Sequence, residues 1–327
     1  MAISLTPIIV LPMFWSNREN WNRRSNFTVR GLKLAPDHLD LRFALGVAYQ
    51  KSERSWSAIA QYHRVLRLYP EDNETYFNIG VAYDDVGLIS EATSAYRKAI
   101  EYNPDHDGAH INLASKLRGI GRVAESILEY KIVLSLVPEH ADTYNNLGLA
   151  YTDMGQLENA LDAFQQSLRL VPLDAETLTN MGMTLDLMGR HGEALDIYRE
   201  ALKIDPNYRG AYHNMGVAYS NLNKTEEEIS AYTEAIRLDP DIAITYTNLS
   251  MRLHESGRLD EAIDAIRNAL RIDNADADAW HTLGCILRDK GSIEEARDAM
   301  EKALSLDDPA INELVRKDLA ILGHNPD

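Results

Sequence analysis

Residues 141–174 read ADTYNNLGLAYTDMGQLENALDAFQQSLRLVPLD, and a phrase of the same 34-residue length recurs on both sides without an insertion. Its clearest marker is the proline near its end: Pro70, Pro104, Pro138, Pro172, Pro206 and Pro240 follow one another at intervals of 34. Pro36 continues the ruler upstream, and Asn274 and Asp308 occupy the corresponding places downstream. A fixed period of this length marks a repeat array in which each unit is one supersecondary element. Framed on 141–174, the units are 39–72, 73–106, 107–140, 141–174, 175–208, 209–242, 243–276 and 277–310.

Within 141–174 the large residues Tyr144, Leu147 and Tyr151, with small Gly148 between them, fall three, four and seven apart. That spacing places them on one stripe of a helix, here called helix A, with room at Gly148 for a second helix to approach. The second helix, helix B, carries Ala160 and Phe164 at positions 20 and 24 of the unit. Those positions hold Ala58 and Tyr62, Ala92 and Tyr96, and Ala194 and Tyr198 in other units. Between the helices stand Gly87, Gly121, Gly155, Gly189, Gly257 and Gly291, with Asn223 in one unit, residues suited to a left-handed backbone. The proline then ends helix B.

These residues resemble the tetratricopeptide repeat family over 272 of the 327 positions. The resemblance implies an all-α fold: a right-handed superhelix, or α-solenoid, of eight 34-residue helix-turn-helix repeats. It departs at Glu228, where alanine is usual, and in the last two units, which lack the proline. Residues 18–38 read as an N-terminal half-repeat with Trp21 and Phe27 facing inward. Residues 311–327 read as a C-terminal cap whose stripe is Ile311, Leu314, Val315, Leu319 and Leu322, with Gly323 and Pro326 closing it. Terminal helices of this kind keep the outermost apolar faces of an array out of water.

Charge divides the chain. Residues 1–36 carry +4, and with a net charge of −17 the remainder holds −21. An array this acidic repels phosphate backbones, so the expected partner is a basic or neutral polypeptide and not a nucleic acid. Residues 1–17 form an apolar tail, but Pro7 and Pro12 and its shortness exclude a transmembrane helix. The basic residues follow the apolar run, opposite to a secretory signal. The tail therefore reads as packing on the array or on a partner in preference to a membrane, and the expected location is cytoplasmic. One cysteine, Cys285, excludes an internal disulfide and a cysteine-based zinc site.

Nucleotide-binding loops, a nucleophile elbow and HExxH are all missing from the sequence, so neither a catalytic residue nor a cofactor is expected. His106 and His110, beside Asp105 and Asp107, read as caps of a helix start and not as metal ligands. Position 6 of helix A, in contrast, is asparagine in six consecutive units: Asn78, Asn112, Asn146, Asn180, Asn214 and Asn248. An amide offers donor and acceptor to the backbone of an extended peptide; it could equally bond back to its own helix or to a neighbouring repeat.

Positions 2, 6, 9 and 13 form a stripe separate from the core stripe. The family resemblance implies that this stripe faces a concave groove. It carries Glu74, Asp142 and Glu176 at position 2, and Asp85, Asp153 and Glu255 at position 13, so the groove is expected to be negative. The row of amides is similar to the asparagine ladder of the repeat domain of protein O-linked N-acetylglucosamine transferase. Position 5 lacks the lysine of the carboxylate-clamp branch, which disfavours a chaperone tail. The leading expectation is a non-catalytic scaffold for a partner segment, as assembly factor or subunit of a larger complex. The substrate-binding part of a glycosyltransferase system and a self-assembling structural protein, a homo-oligomer, remain as alternatives.

Overall fold

The computed structural model describes residues 18–323; the tail 1–17 and Pro326 lie outside the described residues. The described chain consists of helices and short connections, in two compact units, one ending at Gly155 and the other beginning at Gln156. The first unit contains α1 (Arg18–Leu34), α2 (Leu39–Lys51), α3 (Ser55–Leu68), α4 (Asn73–Asp85), α5 (Ile89–Tyr102), α6 (Asp107–Gly119), α7 (Val123–Leu136) and α8 (Ala141–Asp153). The second contains α9 (Leu157–Leu170), α10 (Ala175–Leu187), α11 (His191–Ile204), α12 (Arg209–Asn221) and α13 (Thr225–Leu238), followed by α14 (Ala243–Glu255), α15 (Leu259–Ile272), α16 (Ala277–Asp289), α17 (Ile293–Ser305) and α18 (Asn312–Gly323). Inside each unit every helix packs on the next in chain order.

One interlock explains most of the repeat motif. The position-24 ring of helix B closes directly on the position-8 glycine of helix A: a Cβ added at Gly46, Gly80, Gly182 or Gly216 would sit 2.4–2.6 Å from the ring of Tyr62, Tyr96, Tyr198 or Tyr232. No such approach is compatible with a side chain, so glycine is a packing requirement at these positions. The position-20 alanines Ala58, Ala92 and Ala194 of the same repeats are completely buried, as is Ala262 in a later one.

The turn glycines adopt φ between 72° and 87°, and Asn223, with φ 55°, serves in the same way. Helix B stops for a more local reason than the missing proline donor. The residue before each proline is extended, as at Tyr69 (φ −137°, ψ 85°), because the proline ring excludes it from the helical region. Where Asn274 replaces proline, Asp273 still takes φ −130° and ψ 100°, and its Oδ1 accepts from the Ala275 N–H at 2.9 Å. An aspartate turn thus ends that helix B in the same register.

Several expectations change. Phe27 is 68% exposed, not inward; Ser25 and Thr28 are buried in α1 instead, with their hydroxyls donating to the carbonyls of Asn22 and Arg24 at 2.8 Å. Small hydroxylated residues that satisfy themselves locally allow α1 to sit close on α2, while a phenyl ring on that face would hold it away. Trp21 is half-buried, with the Arg24 guanidinium 5.1 Å above its ring. On α18 and the turn before it, Ile311, Val315 and Leu322 are buried and Leu319 packs on the core of the second unit, but Leu314 is 49% exposed.

Candidate functional site

The ladder asparagines all lie on helices A, and all six are half-buried: Asn78, Asn112 and Asn146 in the first unit, Asn180, Asn214 and Asn248 in the second. Their partners show why the residue recurs. Asn78 Nδ2 donates back to the Glu74 carbonyl at 2.8 Å. Asn112 Nδ2 donates to the Tyr96 hydroxyl at 3.4 Å, and Asn248 bonds the Tyr232 hydroxyl, joining in each case the position-24 ring of the preceding repeat. Burial first, and the Asp84 charge second, push the ionisation of Tyr96 well above the usual phenol range. The amide thus satisfies the polar tip of a ring that is otherwise in the core. The Asn112 contact occupies one of its two N–H groups.

The carboxylates separate into two kinds. At position 2, Glu74, Asp142 and Glu176 are exposed, with His106 Nε2 3.7 Å from Glu74 Oε1. At position 13 the acids are tied to other side chains: Asp85 accepts from Gln50 Nε2 at 3.2 Å and Ser55 Oγ at 3.1 Å, Asp153 pairs with Arg118 at 2.6 Å, and Glu255 pairs with Arg252 at 2.8 Å. The position-2 carboxylates are therefore the set less engaged by the chain's own side chains.

The position-13 bonds follow a rule that the sequence reading missed. A position-12 side chain meets position 13 of the next repeat, 35 residues on, as Gln50 with Asp85, Arg118 with Asp153, Asp186 with Asn221, and His254 with Asp289. These four occur at α2/α4, α6/α8, α10/α12 and α14/α16, the interfaces where neighbouring helices A approach most closely. The other kind of interface uses an offset of 32: Asp84 with Lys116 at 2.7 Å, and Ser220 with Arg252 at 2.8 Å. The signal was present in the sequence, in the complementary residues at positions 12, 13 and 10.

His106 and His110 take structural places. His106 caps α6, its Nδ1 accepting from the Ala109 N–H. Buried His110 lies between the Glu129 carboxylate, at 2.5 Å from Nδ1, and the Pro104 carbonyl, at 2.9 Å from Nε2. Two acceptors require both ring nitrogens to donate; burial alone would lower the His110 pKa, but the bonds to Glu129 and Pro104 outweigh it and hold it raised. Glu228 is buried as well, and Arg252 from the next repeat reaches it at 2.7 Å with Ser220 alongside. The departure from alanine is thereby compensated by an ion pair across the repeat interface, although burial still holds the Glu228 carboxyl above the usual range.

Family models described as tetratricopeptide repeat match residues 139–207 and residues 74–106, 210–242, 243–276 and 277–309. The chain belongs to the tetratricopeptide repeat family. A search among curated proteins finds no match. Among solved structures, a chain of the APC/C hetero-tetramer Cut9–Hcn1 is similar with a TM-score of 0.61 and 21% identity over 83% of this chain. The match spans 54% of that chain's length. A tetratricopeptide repeat protein from Parabacteroides merdae is similar with a TM-score of 0.58 and 18% identity over 77% of this chain and 99% of that one. Both similarities are of fold. Among the described residues no helix is long and apolar enough to cross a membrane.

Proposed function

We propose that the chain is a non-catalytic protein-interaction scaffold whose helix-A faces hold an extended or helical segment of a basic or neutral partner protein. The observation that carries this reading is the register of one polar pair. Exposed Glu74 and Asp142 lie four residues ahead of half-exposed Asn78 and Asn146 in the first unit, and Glu176 precedes Asn180 in the second. A carboxylate and an amide repeated on the same helix face suit a chain that presents N–H groups and positive side chains along its length. Beside them the half-buried Val81, Leu149 and Met183 offer shallow apolar contact. A cytoplasmic place in a larger assembly belongs to the same reading; the family membership supports its scaffold part.

The test is selection of unstructured peptides of mixed charge on the immobilised chain. Peptides rich in Lys and Arg are expected, and Glu74→Lys with Asp142→Lys should abolish their retention while leaving the melting temperature unchanged. Retention that survives charge reversal at Glu74 and Asp142, and amide removal at Asn146 and Asn214, would overturn the assignment of this face.

A further inference from the structure

Against the expectation drawn from the single cysteine, we propose that His281, Cys285 and Asp318 form a transition-metal site of mixed ligands, suited to zinc, that fastens the last helix of the second unit to the helix A before it. His281 and Cys285 lie four residues apart on α16 and so share one face of that helix. Asp318 reaches the same point from α18, with Oδ2 2.8 Å from His281 Nε2 and 3.9 Å from Cys285 Sγ. Sγ and Nε2 are 3.5 Å apart, and the three ligand atoms lie within 4.8 Å of one another.

These separations are close to those of a tetrahedral zinc centre. With Zn–N and Zn–O near 2.1 Å and Zn–S near 2.3 Å, tetrahedral angles put nitrogen and oxygen about 3.4 Å apart and sulfur about 3.6 Å from either. An ion would therefore widen the histidine–aspartate contact by about half an ångström and leave the sulfur distances nearly as they are. A thiolate, a neutral imidazole and a carboxylate together balance a divalent charge, and the soft sulfur and the imidazole select zinc or cobalt over magnesium or calcium. Arg288 Nη1 stands 3.8 Å from the other oxygen of Asp318, Oδ1, which leaves Oδ2 for the ion and fixes the carboxylate's orientation. The His281 and Asp318 side chains are only 12% and 15% exposed, so the site is shielded yet open enough for an ion to enter.

A histidine–aspartate pair by itself would explain two of the three residues and leave the thiol only as packing against the core. The experiment therefore reads the sulfur. The full-length, untagged chain, stripped with chelator, is titrated with Co²⁺ and then with Zn²⁺ in competition with a chromogenic chelator. One equivalent of Co²⁺ should bind with a thiolate-to-cobalt charge-transfer band, Zn²⁺ should displace it, and Zn²⁺ should shield Cys285 from a thiol reagent. Cys285→Ser should remove the band, and both Cys285→Ser and Asp318→Asn should weaken Zn²⁺ binding by about tenfold or more. Circular dichroism checks that each variant is folded. Absence of stoichiometric binding, a cobalt complex without the thiolate band, or Zn²⁺ affinity unchanged in both folded variants would overturn the site.

Discussion

Glu53 occupies the place that glycine holds in other turns between helices A and B, with φ 60°. A side chain in that conformation costs roughly 1–2 kcal/mol that glycine does not. Glu53→Gly is therefore expected to raise the stability of the first unit by about 1 kcal/mol, seen as a higher melting temperature. The buried pair between Glu228 and Arg252 should respond asymmetrically. Arg252→Ala strands a buried carboxylate and is expected to destabilise by about 3 kcal/mol, whereas Glu228→Ala with Arg252→Ala restores the alanine usual at that position and should recover most of the loss. Denaturant melts of the two variants provide the comparison; equal losses would show that the pair carries little charge interaction. His110 gives a pH dependence with a definite sign. Its folded pKa is raised, so the stability from Glu129 and Pro104 is fully present below the ordinary histidine value and is lost as pH rises through the folded value. In His110→Gln the stability difference from the parent chain should accordingly be larger at about pH 5.5 than at about pH 8, on either side of the ordinary histidine value.

At the scale of the element, the glycine–tyrosine interlock sets how near helix A and helix B can lie. Gly182→Ala puts a methyl group 2.5 Å from the Tyr198 ring and is expected to cost about 1–3 kcal/mol, since the ring is buried and cannot swing away. The last element has a different task. Ile311, Val315 and Leu322 cover the core formed by α16 and α17, so deletion of 311–322 should loosen 277–310 and promote association. Hydrogen exchange and size-exclusion chromatography read the two effects, and unchanged protection in 277–310 with a monomeric elution would refute the capping role. Asn112 sits between these cases: its bond to Tyr96 ties two repeats together, so Asn112→Ala should lower stability by about 1 kcal/mol, in contrast to charge reversal at Asp142.

At the scale of the whole molecule, packing inside each unit runs almost entirely between helices adjacent in the sequence, so damage should remain local. Gly46→Ala, in the first unit, and Gly284→Ala, in the second, should each lower protection first in their own unit, and their stability losses should add in the double variant. The sequence alone determined the period, the eight-unit frame and the turn positions, because these depend on residues within one unit: a glycine or asparagine for positive φ, a proline that excludes the residue before it from the helix, and apolar stripes at helical spacing. The helix-A register of Asn78 and its successors was legible for the same reason. What the asparagines touch was not, since Asn112 meets Tyr96 only after two repeats have docked. The exposure of Phe27 and the meeting of Asp318 with His281 and Cys285 were likewise decided only by tertiary structure. In each, the deciding distance is between side chains on different helices, and that distance depends on how closely the backbones pack and not on any spacing along the chain.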